Sequence, residues 1–220
     1  MDPEYLDVAI LLRLRPYDGR PRALMLTFAG QLGYAGMNAH GLAHFTNALY
    51  GFPWRPGLPH YPLKRVMLEQ RTVAQAIGVA RAHRTCSAAN MVLADGDGAI
   101  GDVEIRPAGV AEFPDDHQDR RLHANHCLTT ECGGHDRCTL PDSYPRLDRI
   151  RALVQAAWGT ITVESQKDIL ADHQGDPGGI CRHGAVRLHS ICGYIADPAA
   201  RVLHVRYGHG CSGAWTAYEV

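Results

Sequence analysis

A chain of 220 residues has room for one domain with a substantial core, and its 45% apolar and 20% charged shares are ordinary for a soluble globular protein. The formal charge of -1 excludes the basic footprint of a general nucleic-acid or anionic-membrane binder. The longest apolar run near the start, Val8 to Leu12, is too short to span a bilayer and follows acidic residues, so neither a signal segment nor an anchor is expected. A single domain over residues 1–220 and a cytoplasmic location are the default expectations.

Val8 to Leu14 and Ala23 to Ala29 are apolar runs separated by Pro16-Tyr17-Asp18-Gly19-Arg20-Pro21, and the Asp-Gly and prolines of that turn predict a hairpin. Both runs are apolar on both faces, which predicts strands covered above and below. From Gly30 to Asn47 the glycines punctuate short extended pieces, without the Gly-Lys-Ser/Thr of a phosphate loop. Asn38 is expected as a left-handed turn residue before Gly41, or as a substrate contact. Asn47 closes the strand Leu42 to Thr46 and can face a pocket.

After a proline-rich loop from Gly51 to Pro62, Leu63 to Gln70 reads as a helix. Thr72-Val73-Ala74-Gln75 is a capping-box pattern opening a second, Val73 to His83. No basic recognition helix accompanies them, so a helix-turn-helix DNA reader is set aside in favour of two packed surface helices. Ser87 to Ala94, Ile100 to Arg106 and Gly109 to Phe113 follow as strands.

The densest chemistry lies at His123-Ala124-Asn125-His126-Cys127. In an extended segment His123 and Asn125 share one face while Ala124 and His126 share the other. An inward Asn with a small outward neighbour can donate its amide N–H to a developing oxyanion. The competing account is that Asn125 caps a turn and both His residues satisfy backbone groups. Seven Cys, mostly single among apolar residues, predict reduced thiols, and thirteen His raise the prospect of metal or acid-base chemistry. Cys127, Cys132, His135 and Cys138 offer soft ligands for a structural zinc, though their spacing matches no common finger and an ordinary surface loop is the alternative.

Asp142-Ser143-Tyr144-Pro145 opens a helix whose apolar face is Leu147, Ile150, Leu153 and Val154, with Arg146, Arg149 and Arg151 expected in solvent. A shorter helix spans Val163 to Ala171. Strands are expected from Val186 to Ala196, Arg201 to Tyr207 and Ala214 to Tyr218. Blocks of strands alternating with blocks of helices favour a layered α+β sandwich over βαβ units.

Several of these pieces, in this order, resemble one family. They are Gly36-Met37-Asn38-Ala39-His40-Gly41-Leu42 with Asn47-Ala48-Leu49, the strand holding Glu104, His123 to Leu128, Asp142-Ser143 with Arg146, Ile180-Cys181-Arg182, and the hairpin to Gly210-Cys211. The chain resembles the C45-type autoproteolytic acyltransferases and hydrolases related to acyl-CoA:6-aminopenicillanic acid acyltransferase. That resemblance implies the four-layer αββα sandwich of the N-terminal-nucleophile type and a small-molecule acyl or amide substrate, with no cofactor and neither a nucleic-acid nor a membrane partner. It also implies a Cys nucleophile exposed by self-cleavage, Asn125 as oxyanion donor and Asp2 as the family's Asp, with Asn38, Asn47 and His123 as substrate contacts.

Two features depart from the family. Its nucleophilic Cys precedes the Asp, whereas here only Met1 precedes Asp2. Cleavage at Gly210-Cys211 would release only residues 211 to 220, so that bond is rejected as the processing site. The family's Arg near the last hairpin has no clean counterpart in Arg182 or Arg187. The expectation is a family member incomplete at its N-terminus, its thiol outside this sequence and its sheet edge left open to aggregation. An inactive remnant that binds an acyl or peptide ligand is the alternative.

Overall fold

The computed structural model describes residues 1–115, 117–133 and 138–220. A short 3-10 turn, Pro3–Val8, leads into seven strands that meander antiparallel in chain order, interrupted once by two helices. They are β1 (Ala9–Leu14), β2 (Ala23–Phe28), β3 (Ala35–Asn38), β4 (Ala43–Ala48), β5 (Ala89–Ala94), β6 (Ile100–Arg106) and β7 (Gly109–Glu112), with α1 (His60–Met67) and α2 (Val73–Ala82) between β4 and β5. After the single turn α3 (Thr130–Gly133) come α4 (Ser143–Ala156) and α5 (Val163–Leu170). The antiparallel strands β8 (Cys192–Asp197), β9 (Val202–Tyr207) and β10 (Trp215–Glu219) then form a second sheet in the order β10-β9-β8.

The first hairpin pairs Ala9 with Phe28 and Leu14 with Ala23. All six residues of β2 are buried, as its two apolar faces predict. Its partner differs: β1 is the edge of the sheet and Ile10 is exposed, so apolar character on both faces did not place that strand inside.

Both helices between β4 and β5 form for local reasons. The Thr72 hydroxyl accepts the Gln75 N–H at 3.2 Å, capping α2, while the Gln75 side chain turns to the Arg71 N–H at 3.0 Å. Val73, Ala76, Ile77 and Ala80 recur at helical spacing on the buried face. They join Leu63 and Met67 of α1 in a core against Met91, Leu93, Val103 and Ile105 of the first sheet. Each large side chain there contributes about 1.5–3 kcal/mol of burial.

The opposite face of that sheet meets the second one. Leu24, Leu26, Met37 and Ala43 pack on Leu203 and Val205, and Phe45 stacks on Tyr194 with ring centres 4.7 Å apart. On the far side α5 lies against β8, with the Lys167 ammonium 5.9 Å from the Trp215 ring centre in β10. The layers are helix, sheet, sheet and helix, the αββα sandwich expected. Three local expectations fail. The segment Val186 to Ile191 is irregular, β8 starting only at Cys192. Residues 121–128 form no strand. Asn38 keeps a negative φ, the left-handed turn being made by Gly41 at φ 84°.

Candidate functional site

Glu104, on β6 and fully buried, organises the loop that carries Asn125. Its carboxylate accepts from His123 Nε2 at 3.0 Å and from the Leu128 N–H on one oxygen. The other oxygen accepts from the Thr129 N–H at 3.2 Å and from the Thr129 hydroxyl. Burial alone would raise this carboxyl, but donors from His123, Thr129, Leu128 and Cys132 outweigh it and bring it down to about 2. Burial likewise opposes charge on His123, yet the hydrogen bond it donates to Glu104 and the nearby Asp102 leave its pKa raised. Both its nitrogens face acceptors, Nδ1 lying 2.9 Å from the Ala124 carbonyl, so an imidazolium is satisfied there.

Between these anchors the loop crosses the first turn of α4. The Asn125 N–H donates to Ser143 Oγ at 2.7 Å, and Ser143 Oγ lies 2.7 Å from His126 Nδ1. The His126 ring stacks on Tyr144 with centres 4.0 Å apart. Ala124 and His126 are therefore buried while Asn125 is only half-buried, the reverse of an inward Asn with an outward Ala.

The Asn125 carboxamide is held at both ends. Arg146 Nη2 donates to its Oδ1 at 2.9 Å, and its Nδ2 donates to the Ala48 carbonyl at 3.1 Å. The guanidinium fixes which end is oxygen, so the NH2 end is the outward donor. Its second N–H has no partner among the described residues. Arg146 is fixed in turn by Asp142, whose Oδ2 accepts from Arg146 Nε at 2.9 Å and from Arg182 Nη1 at 2.6 Å. Arg149, part-exposed, grips the Asp172 carboxylate at 3.0 and 2.6 Å. The expectation that these arginines form a solvated helix face thus fails for Arg146.

Two cavities flank this framework. One of about 610 Å³ is lined by Asp2, Tyr50, Asp142, Arg182 and Arg187 among others. Asp2 makes an exposed ion pair with Arg187 at 3.5 Å. The other, about 510 Å³ and mostly apolar, lies between the sheets and the helices and is lined by Phe45, Asn47, Val92, Ile150, Val154 and Tyr194, with His123 at its border. Asn125 sits on the wall of neither, although Asp142 and Tyr50 beside it face the first.

Of the residues picked from sequence, Asn47 reaches a cavity, its Nδ2 also donating to Asn90 Oδ1 at 2.9 Å. Asn38 does not. Its Nδ2 donates to the Leu68 and Gln70 carbonyls at 2.7 and 2.6 Å, and its Oδ1 accepts from the His40 and Leu42 N–H groups at 2.9 and 3.1 Å. No polar atom of Asn38 remains for a substrate, and the residue staples the β3–β4 turn to the end of α1. His123 also lines the cavity that Asn47 reaches, and with its side chain buried and both nitrogens engaged it anchors the loop as well.

The Cys127, Cys132, His135 and Cys138 set is described only in part. His135 lies outside the described residues, Cys127 and Cys132 gather with Glu104, and Cys138 Sγ donates to the Asn125 carbonyl at 3.2 Å. Sequence reasoning also missed Arg206. It is buried beneath the Trp215 ring at 4.9 Å, its Nε donating to the Gly208 carbonyl at 3.2 Å. A basic residue inside an alternating strand was its only signal. No helix is long and apolar enough to cross a membrane among the described residues.

Comparison with known proteins places this framework. The fold is shared with two solved structures. Penicillin V acylase from Agrobacterium tumefaciens superposes with a TM-score of 0.63 at 14% identity, covering 91% of this chain and 70% of that one. A mutant of the conjugated bile acid hydrolase from Clostridium perfringens gives 0.61 at 13%, covering 100% and 91%. In sequence the chain is 28% identical over 195 residues to the 40 kDa form of acyl-coenzyme A:6-aminopenicillanic-acid-acyltransferase from Emericella nidulans. That match covers 86% of this chain and 54% of the relative, so the chain spans about half the relative's length. The family model described as acyl-coenzyme A:6-aminopenicillanic acid acyl-transferase matches residues 2–210, and the chain belongs to that family.

Proposed function

We propose that this chain supplies the oxyanion site and substrate cavities of a thiol-dependent amide acyltransferase or hydrolase whose nucleophile lies in sequence outside the chain. A self-cleaved N-terminal Cys attacks the acyl carbonyl, its own α-amine taking the proton. Asn125 Nδ2 then donates to the oxygen that gains charge, and an amine or water resolves the acyl-enzyme. The apolar cavity receives the acyl group and Asn47 supplies a polar contact there, while Asp2, on the wall of the other cavity, orders the segment that enters ahead of Met1.

The observation carrying the proposal is the locked carboxamide of Asn125, whose oxygen is occupied by Arg146 and whose second N–H is uncommitted. A preset donor needs no reorganisation as charge develops. Support for the nucleophile's position comes from Met1. Its N-terminal nitrogen donates to the His189 carbonyl at 2.9 Å and its carbonyl accepts from the His189 N–H at 2.7 Å, an antiparallel pair. A strand entering ahead of Met1 would continue that pairing along β8, which pairs only with β9 among the described residues.

The test uses the protein with whatever its gene encodes ahead of Met1, assayed on N-acylated chromogenic amines with the thiol trapped by alkylation. Asn125→Ala is expected to lower kcat by about 10²-fold or more, as loss of one such donor does. Unchanged kcat removes Asn125 from the mechanism. An upstream sequence with no Cys would end the catalytic proposal in favour of a ligand-binding protein of the same fold.

A further inference from the structure

A second cluster of side chains lies away from Asn125, where the long connection from α5 to β8 meets the β9–β10 turn. One ligating atom from each of His173, Cys181, His183 and Cys211 lies within 4.8 Å of every other. His173 Nε2 is 3.0 Å from His183 Nε2, which is 3.3 Å from Cys211 Sγ. Tetrahedral zinc, with Zn–S of about 2.3 Å and Zn–N of about 2.0–2.1 Å, holds its ligand atoms roughly 3.3–3.8 Å apart. The two short separations lie within a few tenths of an ångström of that range.

The convergence comes from tertiary structure, since Cys211 belongs to a different loop from the other three. The Cys181 N–H donates to the Asp172 carbonyl at 2.9 Å, closing the loop that starts at His173. Asp172 is itself clamped to α4 by Arg149. The Cys211 turn is pressed on the end of α5, for a Cβ on Gly210 would stand 2.1 Å from the Leu170 carbonyl oxygen. The residues between Ala171 and Ile191 form no helix or strand and are held by isolated backbone and side-chain bonds. Irregular connections of that length are uncommon in compact domains and usually carry a function.

We propose that His173, Cys181, His183 and Cys211 bind one zinc ion as a closed, structural Cys2His2 site. Two thiolates balance the charge of the divalent ion, and each Cys releases its proton on binding. Four protein ligands leave no open position, so the ion fastens the loop and takes no part in catalysis. The fastened loop carries Arg182, whose guanidinium reaches Asp142, and His189, which pairs with Met1.

The test is metal analysis of the full chain purified without an affinity tag or metal column, followed by cobalt substitution. The expected results are about one zinc per chain and, with cobalt, the thiolate charge-transfer band of a tetrahedral sulfur site. His173→Ala and Cys211→Ser alter exposed ligands, so both variants are expected to fold by circular dichroism while losing most of the bound zinc. Cys127→Ser is expected to keep it. Several results would overturn the proposal: no stoichiometric metal in protein with reduced thiols, folded ligand variants that retain zinc, or loss of zinc in Cys127→Ser. A peptide map showing Cys181 and Cys211 joined as a disulfide in metal-free protein would do so as well.

Discussion

Replacing Glu104 by Gln removes the charge that anchors the Asn125 loop while keeping the side chain's size. Lowering a buried carboxyl from its ordinary 4.5 to about 2 corresponds to about 3 kcal/mol in favour of the ionised folded form. Breaking a buried ion pair by removing one member costs about 3–5 kcal/mol, so the two routes agree. In a chain of this size 3 kcal/mol is a fall of about 6–12 °C in Tm. A depressed carboxyl contributes stability that is complete above pH 4.5 and is lost as pH falls towards 2. The raised His123 works in the opposite direction, contributing below its ordinary 6.5 and losing its share as pH rises through its folded value. Thermal melts of wild type and Glu104→Gln by circular dichroism at pH 7 and at pH 3 therefore give a wide gap at neutral pH that narrows on acidification. A gap under about 2 °C at pH 7, below what 1 kcal/mol gives, or one that widens towards pH 3, would refute the argument.

Arg146→Ala in the complete enzyme releases the Asn125 oxygen and is expected to lower kcat by about tenfold or more with a smaller change in KM, as for interactions made mainly in the transition state; an unchanged kcat would show that the lock is not needed. Asn38→Ala strips four hydrogen bonds from the β3–β4 turn and is expected to cost about 2–4 kcal/mol. Activity per folded molecule should not change, and a specific loss of substrate affinity would restore Asn38 as a contact. Burial raises Asp102 to about 7, against an ordinary 3.8, so its stability contribution is present below pH 3.8 and is lost as pH rises through 7. The stability of Asp102→Asn relative to wild type should accordingly improve between pH 4 and 7 in parallel denaturant titrations, and a difference independent of pH would contradict this.

The strand meander was legible because each hairpin carries its own turn chemistry: Asp18-Gly19 and Asp95-Gly96-Asp97-Gly98 announce themselves locally. Asn125 was legible as a donor at the edge of an element. Its lock was not, because helical periodicity places Arg146 on a polar face and cannot see a loop folded over that face. Val186 to Ile191 looks like strand by composition, yet the Ser190 N–H goes to the Arg182 carbonyl and His189 pairs with Met1, partners no local window contains. The grouping of His173, Cys181, His183 and Cys211 is hidden in the same way, since these residues meet only once the second sheet has formed.

Because Glu104 grips His123 on one side and Leu128 and Thr129 on the other, the polypeptide around position 125 keeps its path whatever side chain stands there. The tether thus resides in residues other than Asn125. Exchanging the amide for another group therefore changes what position 125 presents without dismantling the scaffold, and a lineage carrying this anchor can vary that one position at small risk to folding.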